Sequence, residues 1–374
     1  MISRDLFGLI KNQLFKGKAI IIMGPRQAGK TTLVNTIKDS LTESVLWLNG
    51  DESNVREALS NTGLSQLRSI IGNNKIVVID EAQRVENIGI TIKLIVDNLP
   101  EVQVIATGSS SFELANSINE PLTGRKYEHL LLTLSHQELQ NHFGYLEEKG
   151  MLRHHLIYGT YPEVVTHPGE EEQILKSLSG SYLFKDIFTW ENIKKPDRLE
   201  QMVKALAFQT GNQVSYHELG QMTGLDNETV EKYILLLERA FVIFRLNSFS
   251  RNLRNELKRS RKIYFYDNGI RNALINNFNQ VEFRNDIGQL WENYLISERM
   301  KRNLYRMHYC NMYFWRNHNQ QEIDYLEEYG GRIHAYEFKW NANRKVNIPY
   351  SFAEAYPEHE WMVIHPENYS DFLS

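Results

Sequence analysis

The segment AIIIMGPRQAGKTTLV, residues 19–34, constrains the fold more than any other part of the chain. A short β-branched run meets a glycine-bounded loop, and a helical pattern follows. The spacing G-x-x-x-x-G-K-T runs from Gly24 to Thr31. Gly24 and Gly29 let the backbone curl until its N–H groups point inward, and a helix starting near Lys30 adds the positive end of its dipole. Lys30 is placed to reach β- and γ-phosphates, and Thr31 to offer a hydroxyl to Mg²⁺. The whole stretch Gly24, Pro25, Arg26, Gln27, Ala28, Gly29, Lys30, Thr31 and Thr32 is the expected phosphate-binding segment, so ATP and Mg²⁺ are the expected cofactors.

Two further strand-like runs end in polar residues. KIVVIDEAQRV is a buried-strand pattern closing on Asp80 and Glu81. Asp80 is expected to hold Mg²⁺ through its water shell and Glu81 to polarise an attacking water. VQVIATGSSSFEL ends in Thr107 and Ser109, candidates for contact with a γ-phosphate or the lytic water. The alternative for either is a polar cap on the next helix. In PLTGRKYEHLLLTLS, Arg125 stands just ahead of a fifth apolar strand.

This order of strand and loop, strand and Asp-Glu, strand and polar sensor, then arginine and strand resembles an AAA-type ATPase. The resemblance implies that Arg125 reaches the ATP of a neighbouring subunit, where such an arginine is worth about 10³–10⁵ in rate. A homo-oligomer follows from that reading. The alternative is a surface or intrachain arginine.

The middle of the chain changes character. Residues 142–195 read as mixed helices interrupted by Gly159 and Pro162, which suits a helical lid behind a core spanning 1–141. From Pro196, three helical patterns follow. The first has Leu199, Met202, Val203 and Leu206 on one face and ends by Gly211. The second opens on a capping box, Ser215 with Glu218. The third turns Val230, Ile234, Leu237 and Phe241 inward. Two strands, FVIFRL and KIYFYD, are joined by a loop carrying Arg251, Arg254, Lys258, Arg259 and Arg261. Three helices and a hairpin with a basic loop predict a winged helix over 196–275. Its third helix carries Asp226, Glu228, Glu231 and Glu238 against Lys232 and Arg239, which suits a phosphate backbone poorly. The basic wing is the better footprint for DNA, through contacts that do not read bases. A protein-docking role is the alternative.

Over 276–374 a long helix places Leu290, Trp291, Tyr294 and Leu295 inward with Glu292 at the flank. MYFWRN, EIDYLEE and RIHAYEFKW follow as strands, and WMVIHP comes near the end. Period-two alternation puts Glu322 and Asp324 on one face, and Glu337 and Lys339 on one face of the next strand. Glu292, Asp324 and Glu337 together make an oxygen-ligand set for a divalent metal, and Lys339 beside it can position or deprotonate a water. The pattern is similar to the PD-(D/E)XK nuclease signature. The alternative is a half-solvated strand pair that simply alternates acids and lysine. The pairs His154–His155 and His308–His318 lack ligand spacing with cysteine and read as structural.

Nearly the whole chain resembles a prokaryotic family in which an AAA-type ATPase precedes a C-terminal domain with a nuclease-like core. The expected class is α/β: a P-loop AAA-type core, a helical lid, a winged helix and a restriction-endonuclease-like domain. The formal net charge is −4 over 374 residues, yet residues 241–320 hold 14 Lys and Arg against 6 Asp and Glu. A local basic region in an acidic chain is the footprint expected of a polyanion partner. Cys310 is the single cysteine, so no internal disulfide forms. With no membrane-length apolar run and no signal-peptide pattern at the start, the cytoplasm is the expected compartment and no membrane partner is expected. Two functions follow from these features: an ATPase acting on DNA with a metal-dependent nuclease-like domain, or an ATP-dependent switch whose C-terminal domains dock a protein.

Overall fold

The computed structural model describes residues 1–109, 121–182, 195–250 and 261–374. The chain divides into two compact units. One is Met1–Leu134 with the short segment Arg239–Phe241; the other is Ser135–Glu238 with Val242–Ser374. It is an α/β protein with a parallel five-stranded sheet in the first unit and a mixed seven-stranded sheet in the second.

The first unit runs α1 (Leu6–Lys11), β1 (Ala19–Met23), α2 (Lys30–Asp39), β2 (Val45–Asn49), α3 (Ser53–Leu59), α4 (Leu64–Ile71), β3 (Ile76–Asp80), α5 (Ile88–Asn98), β4 (Gln103–Gly108) and β5 (Lys126–Leu130). Strand order is β2-β3-β4-β1-β5, every pair parallel. Each residue of β1, β3 and β4 is buried. Such continuous apolar runs are what a sheet covered on both faces requires. Because β4 lies between β1 and β3, three strands distant in sequence end side by side, and Gly24, Thr107 and Asp80 meet at one edge. The fifth strand differs from expectation. It is KYEHL, only partly buried, and the apolar residues Leu131, Leu132 and Leu134 are buried just beyond it.

In the second unit, α6 (His136–Phe143) and α7 (Tyr145–Tyr158) come first. Ser135 and Glu138 form a complete capping box at the start of α6. The sequence pattern points instead to Ser215 and Glu218. There the Ser215 hydroxyl does accept from the Glu218 amide, at 3.3 Å. Then α8 (Pro196–Phe208), a two-residue β6 (Gln213–Val214), α9 (Tyr216–Thr223) and α10 (Asn227–Arg239) lead to the antiparallel hairpin β7 (Ile243–Ser248) and β8 (Arg261–Phe265). The inward faces expected for the first and third helices are buried. Arg251, Arg254, Lys258 and Arg259 lie outside the described residues. Arg261 begins β8 and donates to the Tyr216 hydroxyl at 2.8 Å.

The long helix α11 (Ile287–Tyr305) follows, then β9 (Asn311–Arg316), β10 (Glu322–Tyr329), β11 (Arg332–Phe338) and β12 (His359–Ile364). Sheet order is β12-β11-β10-β9-β7-β8-β6. The hairpin and the late strands therefore form one sheet, joined by the short parallel pairing of Asn247 and Ser248 with Tyr313 and Phe314. Phe249, Trp315, Ile323, Leu326, Ile333, Ala335 and Phe352 pack into a core on this sheet. Leu290, Trp291, Tyr294 and Leu295 of α11 are buried, and so are Glu298, Arg299 and Lys301. These charges are paired: Arg299 grips Glu327 with two bonds of 2.9 and 2.7 Å, and Lys301 meets Glu298 at 2.6 Å. Among the described residues, no helix is long and apolar enough to cross a membrane.

Candidate nucleotide site and acidic cluster

The loop after β1 is held in a shape that only glycine tolerates at two points. Gly24 has φ +154°, and a Cβ there would overlap the Leu131 carbonyl. Gly29 has φ +93° and caps α2. Lys30 is buried at 5% exposure, and its ammonium donates to the carbonyls of Gly24 (2.9 Å) and Pro25 (2.8 Å). The cation thus sits inside the loop, where incoming phosphate oxygens would compete with those carbonyls for it.

At the neighbouring strand ends the polar residues connect. The Thr31 hydroxyl donates to Asp80 at 3.1 Å. The Thr107 hydroxyl also donates to Asp80, and in turn accepts from the Glu81 amide at 3.2 Å. Thr107 is fully buried, so it meets the site through Asp80. Glu81 is in the left-handed region at φ 52°, which turns its side chain off the strand line. Its carboxylate accepts from Gln83 Nε2 at 2.6 Å and from Ser109 Oγ at 3.3 Å. The Thr31 hydroxyl and Asp80 carboxylate, both hard oxygen donors beside the loop, fit Mg²⁺.

Arg125 is not brought to the loop of its own chain. β5 pairs with β1 from Ala19↔Lys126, so Arg125 stands at the end of the sheet opposite Gly24, roughly 20 Å of strand away. There it pairs with Asp97 at 2.6 Å.

The structure adds a residue with no motif to announce it. Arg4, 8% exposed, donates to the Ala28 carbonyl in the loop and to the Leu132 carbonyl beyond β5, both at 2.6 Å. It ties the phosphate-binding segment to the strand on its far side.

In the second unit, Glu292, Asp324, Glu337 and Lys339 come into one neighbourhood. Asp324 and Glu337 stand one step from the Tyr325↔Tyr336 pair of β10 and β11. Asp324 Oδ2 accepts from the Phe338 amide at 2.8 Å. Lys339 meets Glu337 at 2.5 Å and Asp324 at 3.8 Å. Glu292 arrives from α11, and its Oε1 accepts from the Tyr264 hydroxyl at 2.5 Å and from Lys262 at 3.0 Å. Lys262 also meets Glu322 at 2.5 Å. Lys262, Tyr264 and Glu322 are not among the expected site residues. Alternation along RKIYFYD places Lys262 and Tyr264 on one face, which is the signal that could have found them.

Burial, reinforced by Asp324 and opposed by Lys262, pushes the Glu292 carboxyl up to about 7. Burial and Asp324 likewise push Glu337 up to about 7, against the pull of Lys339. For Lys262, burial works against the charge, but Glu292, Asp324 and Glu322 outweigh it and raise the ammonium above its ordinary value. As a divalent site the cluster fits in part. Glu337 Oε2 is buried without a partner and faces no competitor. The carboxylates, however, have two ammonium groups among them, and no three of them come within 4.8 Å of one another.

Among the described residues, the three potential ligands that are so close are His308, Cys310 and Glu327. This adjacency differs from the expectation that His308 lacks ligand spacing with the cysteine. Glu327 is committed to Arg299, to Asn303 at 2.6 Å and to Tyr325 at 3.0 Å. Burial pushes the Cys310 thiol up to about 12, away from the thiolate a metal needs. The other histidines of the expected pairs are engaged with acids where they adjoin: His154 with Glu171 at 3.1 Å, and His155 with Glu148 at 3.2 Å.

Three protein families match successive parts of the chain. Residues 16–140 match an AAA domain family, residues 149–281 a domain of unknown function (DUF8612), and residues 287–372 another (DUF4143). An uncharacterized protein of Mycobacterium tuberculosis is 24% identical over 350 residues, covering 92% of this chain and 75% of that protein. An uncharacterized protein of Haemophilus influenzae is 26% identical over 276 residues, covering 68% of each. Among solved structures, a Walker-type ATPase of Pyrococcus abyssi aligns at 14% identity and TM-score 0.49, over 74% of this chain and 96% of that one. The chain therefore carries an AAA-type P-loop domain followed by two domains of families without known function, and it is homologous to uncharacterised bacterial proteins.

Proposed function

We propose that this protein binds and hydrolyses ATP with Mg²⁺ and uses the nucleotide state to govern how its C-terminal half engages DNA. The observation that carries the ATPase reading is the chain of contacts Thr31–Asp80–Thr107–Glu81 at the lip of the phosphate-binding loop. Lys30 binds the β- and γ-phosphates, while Thr31 and Asp80 would hold Mg²⁺, which would supply charge neutralisation for the phosphates. Glu81 orients the attacking water and accepts its proton, with Gln83 and Ser109 keeping the carboxylate aimed. Arg125 completes the site of a neighbouring subunit in a homo-oligomer, since its own loop lies at the other end of the sheet.

In this reading α6 and α7 begin a helical lid. The helices α8, α9 and α10 with β6, β7 and β8 make a winged helix whose basic loop tracks phosphates. Glu292, Asp324, Glu337 and Lys339 form a nuclease-like site on a restriction-endonuclease-like core, with the three carboxylates as ligands for Mg²⁺. One observation favours a second reading, a switch that docks a protein partner through a silent nuclease-like domain: lysine ammonium groups already sit among the carboxylates.

The test is ATP turnover with and without DNA, together with DNA binding across a salt series. Stimulated turnover and a log–log slope near −4 to −5, for about five phosphate contacts, support the first reading. No stimulation and a flat salt response support the switch. Cleavage that needs Mg²⁺ or Mn²⁺ and is abolished in Asp324→Ala, with ATP hydrolysis intact, would establish the nuclease role.

A further inference from the structure

The acidic cluster already contains a cation that the nuclease-like pattern does not call for. Lys262 is 2% exposed. Its side chain leaves β8, passes over the Phe314 ring of β9 at 5.3 Å from the centroid, and ends between Glu292 and Glu322 at 3.0 and 2.5 Å. Tyr264, two residues on along the same face, closes the same Glu292 oxygen. We propose that Lys262 is the resident cation of this cluster and excludes a divalent ion from it, so that Mg²⁺ or Mn²⁺ enters only when this ammonium is removed. The inference rests on the second reading above, in which the nuclease-like domain is silent, and specifies what keeps the metal out.

The oxygens support the assignment one by one. Mg²⁺ needs near-octahedral oxygen ligation at about 2.0–2.1 Å and gives up water reluctantly. Glu292 Oε1 is shared by Lys262 and Tyr264, Asp324 Oδ2 holds the Phe338 amide, and Glu337 Oε1 holds Lys339. Glu337 Oε2, on a buried residue, has no partner. That oxygen is uncommitted, but one oxygen each of Glu292, Asp324 and Glu337 is already taken by a donor of the protein. A divalent ion placed here would also stand against two ammonium groups, that of buried Lys262 and that of half-buried Lys339. Removing Lys262 alone leaves Glu292 and Glu322 without their shared counter-charge. A buried carboxylate that loses its partner is strongly unfavourable, and an entering cation relieves it.

The experiment is Mn²⁺ binding to the nucleotide-free full-length protein. Free Mn²⁺ is read by its paramagnetic resonance signal, and thermal unfolding is followed in parallel. Wild type, Lys262→Met, Lys262→Arg, Asp324→Asn and Lys262→Met with Asp324→Asn are compared, and ATP binding in each reports an intact first unit. Lys262→Met is expected to gain one Mn²⁺ at least tenfold tighter than any wild-type site in this cluster. Mn²⁺ should then raise its unfolding temperature, as binding to the folded state must. Lys262→Arg and the double variant should not show the gain. Wild type and Asp324→Asn should bind Mn²⁺ alike, a comparison that stands even where Lys262→Met fails to fold. A wild-type Mn²⁺ ion lost in Asp324→Asn overturns the assignment while upholding the nuclease-like reading. A folded Lys262→Met that gains no Mn²⁺ overturns it as well. Loss of ATP binding across all samples would instead strike the ATPase reading.

Discussion

Replacing Arg4 with alanine tests how the phosphate-binding loop keeps its shape. Arg4 spans two backbone carbonyls, Ala28 in the loop and Leu132 past β5, each at 2.6 Å and within the buried interior of the first unit. A hydrogen bond from a charged donor contributes about 1.5–3 kcal/mol. Losing both, with neither carbonyl reaching water, destabilises the unit by about 3–6 kcal/mol. The part that bears on nucleotide is the Ala28 bond. If the loop must be re-formed on binding, about 1.5–3 kcal/mol appears as roughly ten- to hundredfold weaker affinity. Fluorescent-nucleotide titration gives the affinity, and denaturant unfolding with and without nucleotide gives the stability. The conservative change Arg4→Lys supplies a point charge without the planar fork and should recover only part of the loss. Unchanged nucleotide affinity together with unchanged stability in Arg4→Ala would refute the clamp.

Three other outcomes are expected. Gly24→Ala forces a side chain onto the Leu131 carbonyl at φ +154°; strain of about 1–3 kcal/mol should weaken ATP binding roughly five- to 150-fold, measured by the same titration. Arg299→Met leaves Glu327 buried and unpaired and should destabilise the second unit by about 3–5 kcal/mol in denaturant, with the double variant Arg299→Met, Glu327→Met costing less than the single one. The third concerns pH. Glu292 and Glu337 are raised from 4.5 to about 7, so the folded protein binds their protons more tightly than the unfolded chain. Their contribution is fully present below about pH 4.5 and is lost as pH rises through about 7. Glu337→Gln should flatten the fall in stability between about pH 5 and 8, and an unchanged slope would contradict that assignment.

The first unit was largely legible in the sequence because its phosphate-binding loop and its Asp80, Glu81 and Thr107 come at the ends of buried strands. The runs ending at Met23, Asp80 and Thr107 are apolar and short, and parallel pairing brings such ends to one edge. Arg4 was not legible, because its partners are backbone carbonyls and carry no residue signature. In the second unit, alternation placed Asp324, Glu337 and Lys339 on meeting faces, and the apolar stripe of α11 placed Glu292 at its flank. Alternation does not reveal which strands adjoin. The parallel contact of Asn247 and Ser248 with Tyr313 and Phe314 joins the hairpin to the late strands across a long stretch of chain, and no local pattern encodes it. Lys262 reaches the cluster only because of that contact, so its place there could not be read from spacing.

The most direct test of the ATPase account compares Mg·ATP binding and turnover in wild type, Lys30→Ala and Glu81→Gln. The account predicts tight binding and measurable turnover in wild type, weakened binding in Lys30→Ala, and binding retained in Glu81→Gln with turnover reduced at least about a hundredfold. Wild-type protein without affinity for ATP, or Glu81→Gln turning over as fast as wild type, would contradict it.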